Sequence, residues 1–184
     1  MSRRSGAAPA AALEVHREPG PPRQTVVVRD GQRVADLEVA AGHTGGRLRH
    51  EDGWRWRIEH PPGSGEWWVR DELDRLVATA ARHAPTGERW AVELSDGGRF
   101  VVVPTGRWWT RRWSVRDPDQ RVVLEVLQRP LTRPVHDLVL RSGDLPHALP
   151  WVVAWLLAER LSRGQASTRR SRWGISTAWG GDRG

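Results

Sequence analysis

Apolar and polar residues alternate one by one along much of the chain. Trp54, Trp56 and Ile58 fall on one side of such a run and Arg55, Arg57 and Glu59 on the other, while Trp90, Val92 and Leu94 alternate with Arg89 and Glu93. Side chains that alternate with period two point to opposite faces of a strand, so these runs predict half-buried strands of an antiparallel sheet with one wet face. Turn chemistry separates them at near-regular intervals: Asp30-Gly31, Asp52-Gly53, Asp71-Glu72, Asp96-Gly97-Gly98 and Asp117-Pro118-Asp119. An Asp-Gly pair between alternating runs signals a hairpin, because glycine tolerates the positive φ of a tight two-residue turn. The predicted arms are 24–29 with 33–40, 46–50 with 54–60, 66–70 with 74–81, 89–95 with 99–103 and 112–116 with 121–128, followed by a single strand at 135–141. That makes eleven strands.

One segment breaks the period. Leu149-Pro-Trp-Val-Val-Ala-Trp-Leu-Leu-Ala158 reads as a helix that Pro150 opens from the first turn, where its missing N–H has no partner to lose, and that Gly164 closes. Trp151, Val152, Trp155 and Leu156, with their neighbours, surround this helix instead of forming a stripe. A helix apolar on all sides must be buried in protein or lipid. Ten residues span about 15 Å against a hydrocarbon core of about 30 Å, which argues for protein. The economical solution is a mainly β fold: a closed antiparallel barrel whose core is the helix at 150–163.

The run Trp113-Ser-Val-Arg-Asp-Pro-Asp-Gln-Arg-Val-Val-Leu-Glu-Val126, the strand at 135–141 and the segment from Asp144 to Leu161 resemble the end of a tubby C-terminal-like domain. Within that superfamily the order of hairpins is most similar to the LURP-one-related proteins, with phospholipid scramblases as further relatives. The resemblance covers residues 24–163 and implies a barrel of about twelve strands around a central C-terminal helix, so one strand is unplaced. Neither the phosphoinositide pocket of tubby proteins nor a calcium-binding segment of scramblase type is matched here, and those activities are not implied.

Composition sharpens the boundaries. Residues 1–22, with Ala7-Ala8-Pro9-Ala10 and Pro19-Gly20-Pro21-Pro22, and residues 165–184, rich in Arg, Ser and Gly, read as disordered tails around a domain at 23–164. Arg3-Arg4 is not followed by the apolar run of a secretory signal, so the expectation is a soluble, cytoplasmic protein. The chain has no Cys, which excludes disulfides and thiol chemistry, and all 29 of its basic residues are Arg. The net charge is +7. A closed barrel has no free edge to exchange, so the expected state is a monomer.

Candidate chemistry is concentrated in Gly106-Arg-Trp-Trp-Thr-Arg-Arg-Trp113, where three Trp and three Arg share eight residues. The plainest account is barrel geometry, with Trp113 and Val115 inward and Arg112, Ser114 and Arg116 outward. Only Trp108 and Trp109 then need another explanation; with Arg107, Arg111 and Arg112 as candidate contacts beside them, indole with guanidinium suits an anionic membrane interface or stacking on single-stranded nucleic acid. Trp67-Trp68 repeats the theme, and one member of an adjacent pair on a strand must face outward. The tail Arg169-Arg170-Ser-Arg172-Trp173 is a second basic, aromatic element. The seven histidines, at 16, 43, 50, 60, 83, 136 and 147, share no metal-ligand spacing, His136 and Asp137 face opposite ways on their strand, and no nucleophile elbow or phosphate loop is present. The expectation is therefore a non-catalytic binding or scaffold domain without cofactor or metal. Its expected partner is an anionic phospholipid surface or a protein. Nucleic acid is the alternative, and an enzyme whose site is assembled only in three dimensions the second.

Overall fold

A computed structural model describes residues 13–18, 24–40, 44–83, 89–105, 112–128, 135–141 and 144–173. Its strands are β1 (Leu13–Arg17), β2 (Gln24–Arg29), β3 (Gln32–Val39), β4 (Gly45–His50), β5 (Arg55–Glu59), β6 (Glu66–Arg70), β7 (Leu76–Arg82), β8 (Trp90–Leu94), β9 (Arg99–Thr105), β10 (Arg112–Arg116), β11 (Val122–Gln128) and β12 (Val135–Leu140). One helix, α1 (Ala148–Trp173), comes after them. Each strand pairs antiparallel with its neighbours in sequence and β1 pairs with β12, which closes a twelve-stranded barrel. The fold class and the eleven expected strands are as the alternation predicts.

The twelfth strand is β1, inside the segment expected to be a disordered tail. Leu13 and Val15 are buried while Glu14 and His16 are half-buried, a short period-two run between stretches of Ala and Pro. Leu13 pairs with Arg29 on one side and Leu138 on the other, so without β1 the sheet would expose two edges. The helix also departs from expectation. It runs through Gly164 to Trp173, ten residues past the predicted end at 163, because glycine within a helix costs only about 1 kcal/mol and does not by itself stop one.

Inward side chains of every strand join those of α1 in one buried core. Leu149, Trp151, Val152, Val153, Trp155, Leu156 and Leu157 are all buried, as are Leu13, Leu37, Leu48, Ile58, Trp67, Val92, Leu124 and Leu138 on the wall. The barrel is thus a packed core, not a channel. Trp155 sits where the wall is thinnest. A Cβ at Gly46 would overlap its indole, and one at Gly45 would overlap the Ile58 carbonyl oxygen, so the two glycines that open β4 let the wall close around the ring. Strand β4 thus begins at Gly45, one residue ahead of the expected start at 46.

Helix α1 enters the barrel beside the β4–β5 turn, where Trp151 meets His50 and Trp54, and proceeds past Gly46 and Trp67 toward the opposite rim. Its 26 residues measure about 39 Å, whereas the longest strand has eight residues and measures about 26 Å before tilting. The last turns of the helix therefore lie beyond the wall.

Candidate functional site

Closure divides the connections between two rims. At the rim where α1 enters lie the tight turns at 30–31, 51–54, 71–75, 95–98 and 117–121 and the approach to the helix at 141–147. The other rim, the loop rim, carries the opposite ends of the strands with the β5–β6 turn at 60–65, and α1 runs toward it. By sequence, the segments that join the strands at the turn rim hold ten acidic residues against three arginines, whereas the segments 18–23, 40–44, 60–65, 83–89, 106–111 and 129–134 that join them at their opposite ends, taken with residues 160–173, hold eleven arginines against two acids.

Local structure explains the acidic turns. The Asp71 carboxylate accepts from the backbone N–H of Leu73 and of Arg75, Asp96 from that of Gly98, and Asp117 from that of Arg121. Asp is a turn former because its side chain satisfies these donors. The side-chain hydrogen bond from Arg75 holds the Asp71 carboxyl below its ordinary range, with backbone hydrogen bonds acting in the same direction.

Arg107, Trp108, Trp109 and Arg111 lie outside the described residues. Arg112 is exposed at the start of β10, next to that connection. Trp113 and Val115 are buried as expected. Ser114 is buried too, against expectation, because Arg116 folds back and donates from Nε to Ser114 Oγ at 3.3 Å. Of the adjacent pair on β6, Trp67 is only 1% exposed and packs on Trp155 and His60, which removes it from the candidate surface. Its inward position follows from alternation with Val69. Trp68 is the outward member, half-buried beneath Arg70, whose guanidinium carbon lies 5.3 Å from its ring centre. The core residues Trp151, Val152, Trp155 and Leu156 stand where the sequence places them.

Two features were not singled out in the sequence. The first is a row of arginines on the outer wall: Arg47 and Arg49 of β4 stand directly across from Arg57 and Arg55 of β5, and all four are exposed. They line a cavity of about 360 Å³ whose far side is the Asp71–Arg75 turn. Arg55-x-Arg57 was legible as the wet face of a strand, but the pairing of two such dipeptides depends on register. The second is an aromatic cap over the turn rim, in which His50 stacks on Trp54 at 4.5 Å, Trp151 meets His50 edge-on at 4.8 Å and His147 meets Trp54 at 5.6 Å.

Burial lowers the His50 pKa from its ordinary 6.5, His147 and Arg29 act in the same direction, and Asp52 and Glu51 oppose them. A histidine that is harder to protonate in the folded state gives its full contribution to stability above pH 6.5. That contribution is lost as pH falls below 6.5, where the unfolded chain takes the proton first, and on through the lower folded-state pKa. Thermal melts from pH 7.5 to 5 are expected to show a falling Tm, and His50→Phe should flatten the slope. An equal slope in the variant would assign the effect to other groups.

Among the described residues no group of three or more His, Asp or Glu has the placement to hold a metal ion, and no helix is long and apolar enough to cross a membrane. No family model and no curated protein sequence matches the chain. Its structure is similar to the crystal structure of an Arabidopsis thaliana protein, with a TM-score of 0.57 and 17% identity over 85% of this chain and 94% of that one. At that identity the likeness is one of fold. The class defined by the fold is a closed antiparallel barrel filled by one helix.

Proposed function

We propose that the chain is a tubby-like, non-catalytic barrel that works in the cytoplasm as a monomeric binding or scaffold domain at anionic phospholipid surfaces. What supports this reading is the division of acidic and basic residues, read by sequence, between the two alternating sets of segments that join the strands. Arginines with tryptophans in the connections of one rim suit a headgroup layer, where guanidinium pairs with phosphate and indole settles at the interface. Each arginine close to an anionic leaflet contributes about 1 kcal/mol, so a handful reach the strength of a single acyl chain and give reversible attachment. The acidic rim, repelled by the same surface, orients the barrel. Monomeric behaviour agrees with a barrel in which every strand has two hydrogen-bonded neighbours.

Flotation of the purified protein with neutral and anionic liposomes, at low and high salt, tests this. Cofloating with anionic vesicles is expected, weakened by salt but not abolished, and lost in Trp108→Ala/Trp109→Ala. No cofloating at either salt would end the membrane reading. Binding to a single-stranded oligonucleotide that exceeds vesicle binding, with a steep inverse dependence on salt, would favour the nucleic-acid alternative.

A further inference from the structure

We propose that the groove on the outer wall, between the β4–β5 hairpin and the Asp71–Arg75 turn, is a second binding site, and that its ligand is an extended acidic peptide. This inference goes beyond the membrane reading and uses a different face.

The groove measures about 360 Å³, within the range of ligand-binding clefts. Two rungs of like charge cross it, Arg47 opposite Arg57 and Arg49 opposite Arg55, an arrangement that weakens a sheet unless counter-charges attend it. Two of the four have such partners. Arg57 pairs with Asp74 at 2.5 Å and with Glu59 at 2.9 Å, and Arg55 stands 4.0 Å from Glu72. Arg47 and Arg49 do not: across the β3–β4 ladder from Arg49, Asp36 is held by Arg33, and Glu38, across from Arg47, makes no ion pair with it. Among the described residues these two exposed guanidiniums have no counter-ion, and both face the cavity.

Their spacing identifies the ligand. Residues two apart on one strand face lie about 7 Å from each other, which is also the separation of acidic side chains at alternate positions of an extended peptide. Each guanidinium offers a planar fork to one carboxylate. The opposite wall then narrows the choice. Asp71, Glu72 and Asp74 line it, so a continuous polyanion or a flat anionic bilayer would meet like charge there. A short peptide avoids this by following its acidic pair with an apolar and a basic residue. Leu73, 71% exposed at the crest of the turn, supplies the apolar contact.

Fluorescence polarisation tests the site with a labelled ten-residue peptide in which two Glu, separated by Ser, are followed by Leu and Lys. Saturable binding to the full chain is expected. Arg47→Gln/Arg49→Gln should weaken it at least tenfold without lowering the thermal melt. The control Arg99→Gln/Arg121→Gln, which removes the same charge from elsewhere on the exposed surface, should change it less than twofold, and a peptide with adjacent Glu should bind at least fivefold more weakly. Absence of saturable binding, or equal loss in the two double variants, would overturn the proposal. So would displacement by inorganic phosphate or an oligonucleotide as effective as displacement by unlabelled peptide. Anionic vesicles separate the two readings: Arg47→Gln/Arg49→Gln should float as the wild type does, and loss of flotation in that variant would assign this wall to the membrane instead.

Discussion

A chain that stops at Arg141, before the helix, will not fold. Its strands would close around an empty space that Leu149, Trp151, Val152, Val153, Trp155, Leu156 and Leu157 now fill, all of them buried. Large apolar side chains contribute about 1.5–3 kcal/mol each on burial, so these seven account for about 10–20 kcal/mol, an upper bound because unfolded chains are partly collapsed. That is of the same order as the whole net stability of an ordinary domain, about 5–15 kcal/mol. Removal of the helix therefore leaves no folded state. Circular dichroism and calorimetry of the truncated chain are expected to show no cooperative melt, and a cooperative melt would show that the wall holds itself together by some other core.

Trp155→Ala is the point substitution with the largest expected cost, about 3–5 kcal/mol, the range for deleting a buried indole from a close-packed interior. The ring is 1% exposed, lies against Gly46 and meets Trp67 edge-on at 6.0 Å. Collapse cannot refill the space, because the neighbouring wall is glycine backbone held in the β3–β4 and β4–β5 ladders. Trp155→Phe should cost markedly less: it keeps an aromatic plane in place, and the indole N–H has no hydrogen-bond partner to lose among the described residues. Urea denaturation of both variants measures this. Equal costs, or a loss below about 1 kcal/mol for alanine, would mean that the ring does not support the wall.

Alternation and Asp-Gly turns made the hairpins legible because both are local: a side-chain period of two and a positive φ at Gly31, Gly53 and Gly97 need no knowledge of partners. The helix was legible because tryptophan and leucine on all its faces exclude a surface position. What escaped depends on tertiary pairing. Five residues from Leu13 carry too little pattern to announce a strand, and they become one because β2 and β12 each have an edge to satisfy. Gly164 looked like a stop, yet glycine ends a helix only where the chain turns away. The outward and inward choice between Trp67 and Trp68 was fixed by Val69, but not from within the pair. The arginine rungs required register: Arg47 and Arg49 are unremarkable until β4 lies against β5 and places Arg57 and Arg55 beside them. The division of charge likewise follows from the up-and-down order, which sends alternate connections to opposite ends.

That division is the centre of the functional account, and the absence of cysteine allows it to be measured directly. An environment-sensitive dye is attached through Arg89→Cys, at the loop rim, or through Asp96→Cys, at the turn rim, and the two labelled proteins are mixed with anionic vesicles. The dye at the loop rim is expected to brighten and shift to the blue while the dye at the turn rim stays as it is in buffer. Equal responses, or a response confined to the turn rim, would contradict a barrel that meets the membrane with its arginine-rich end.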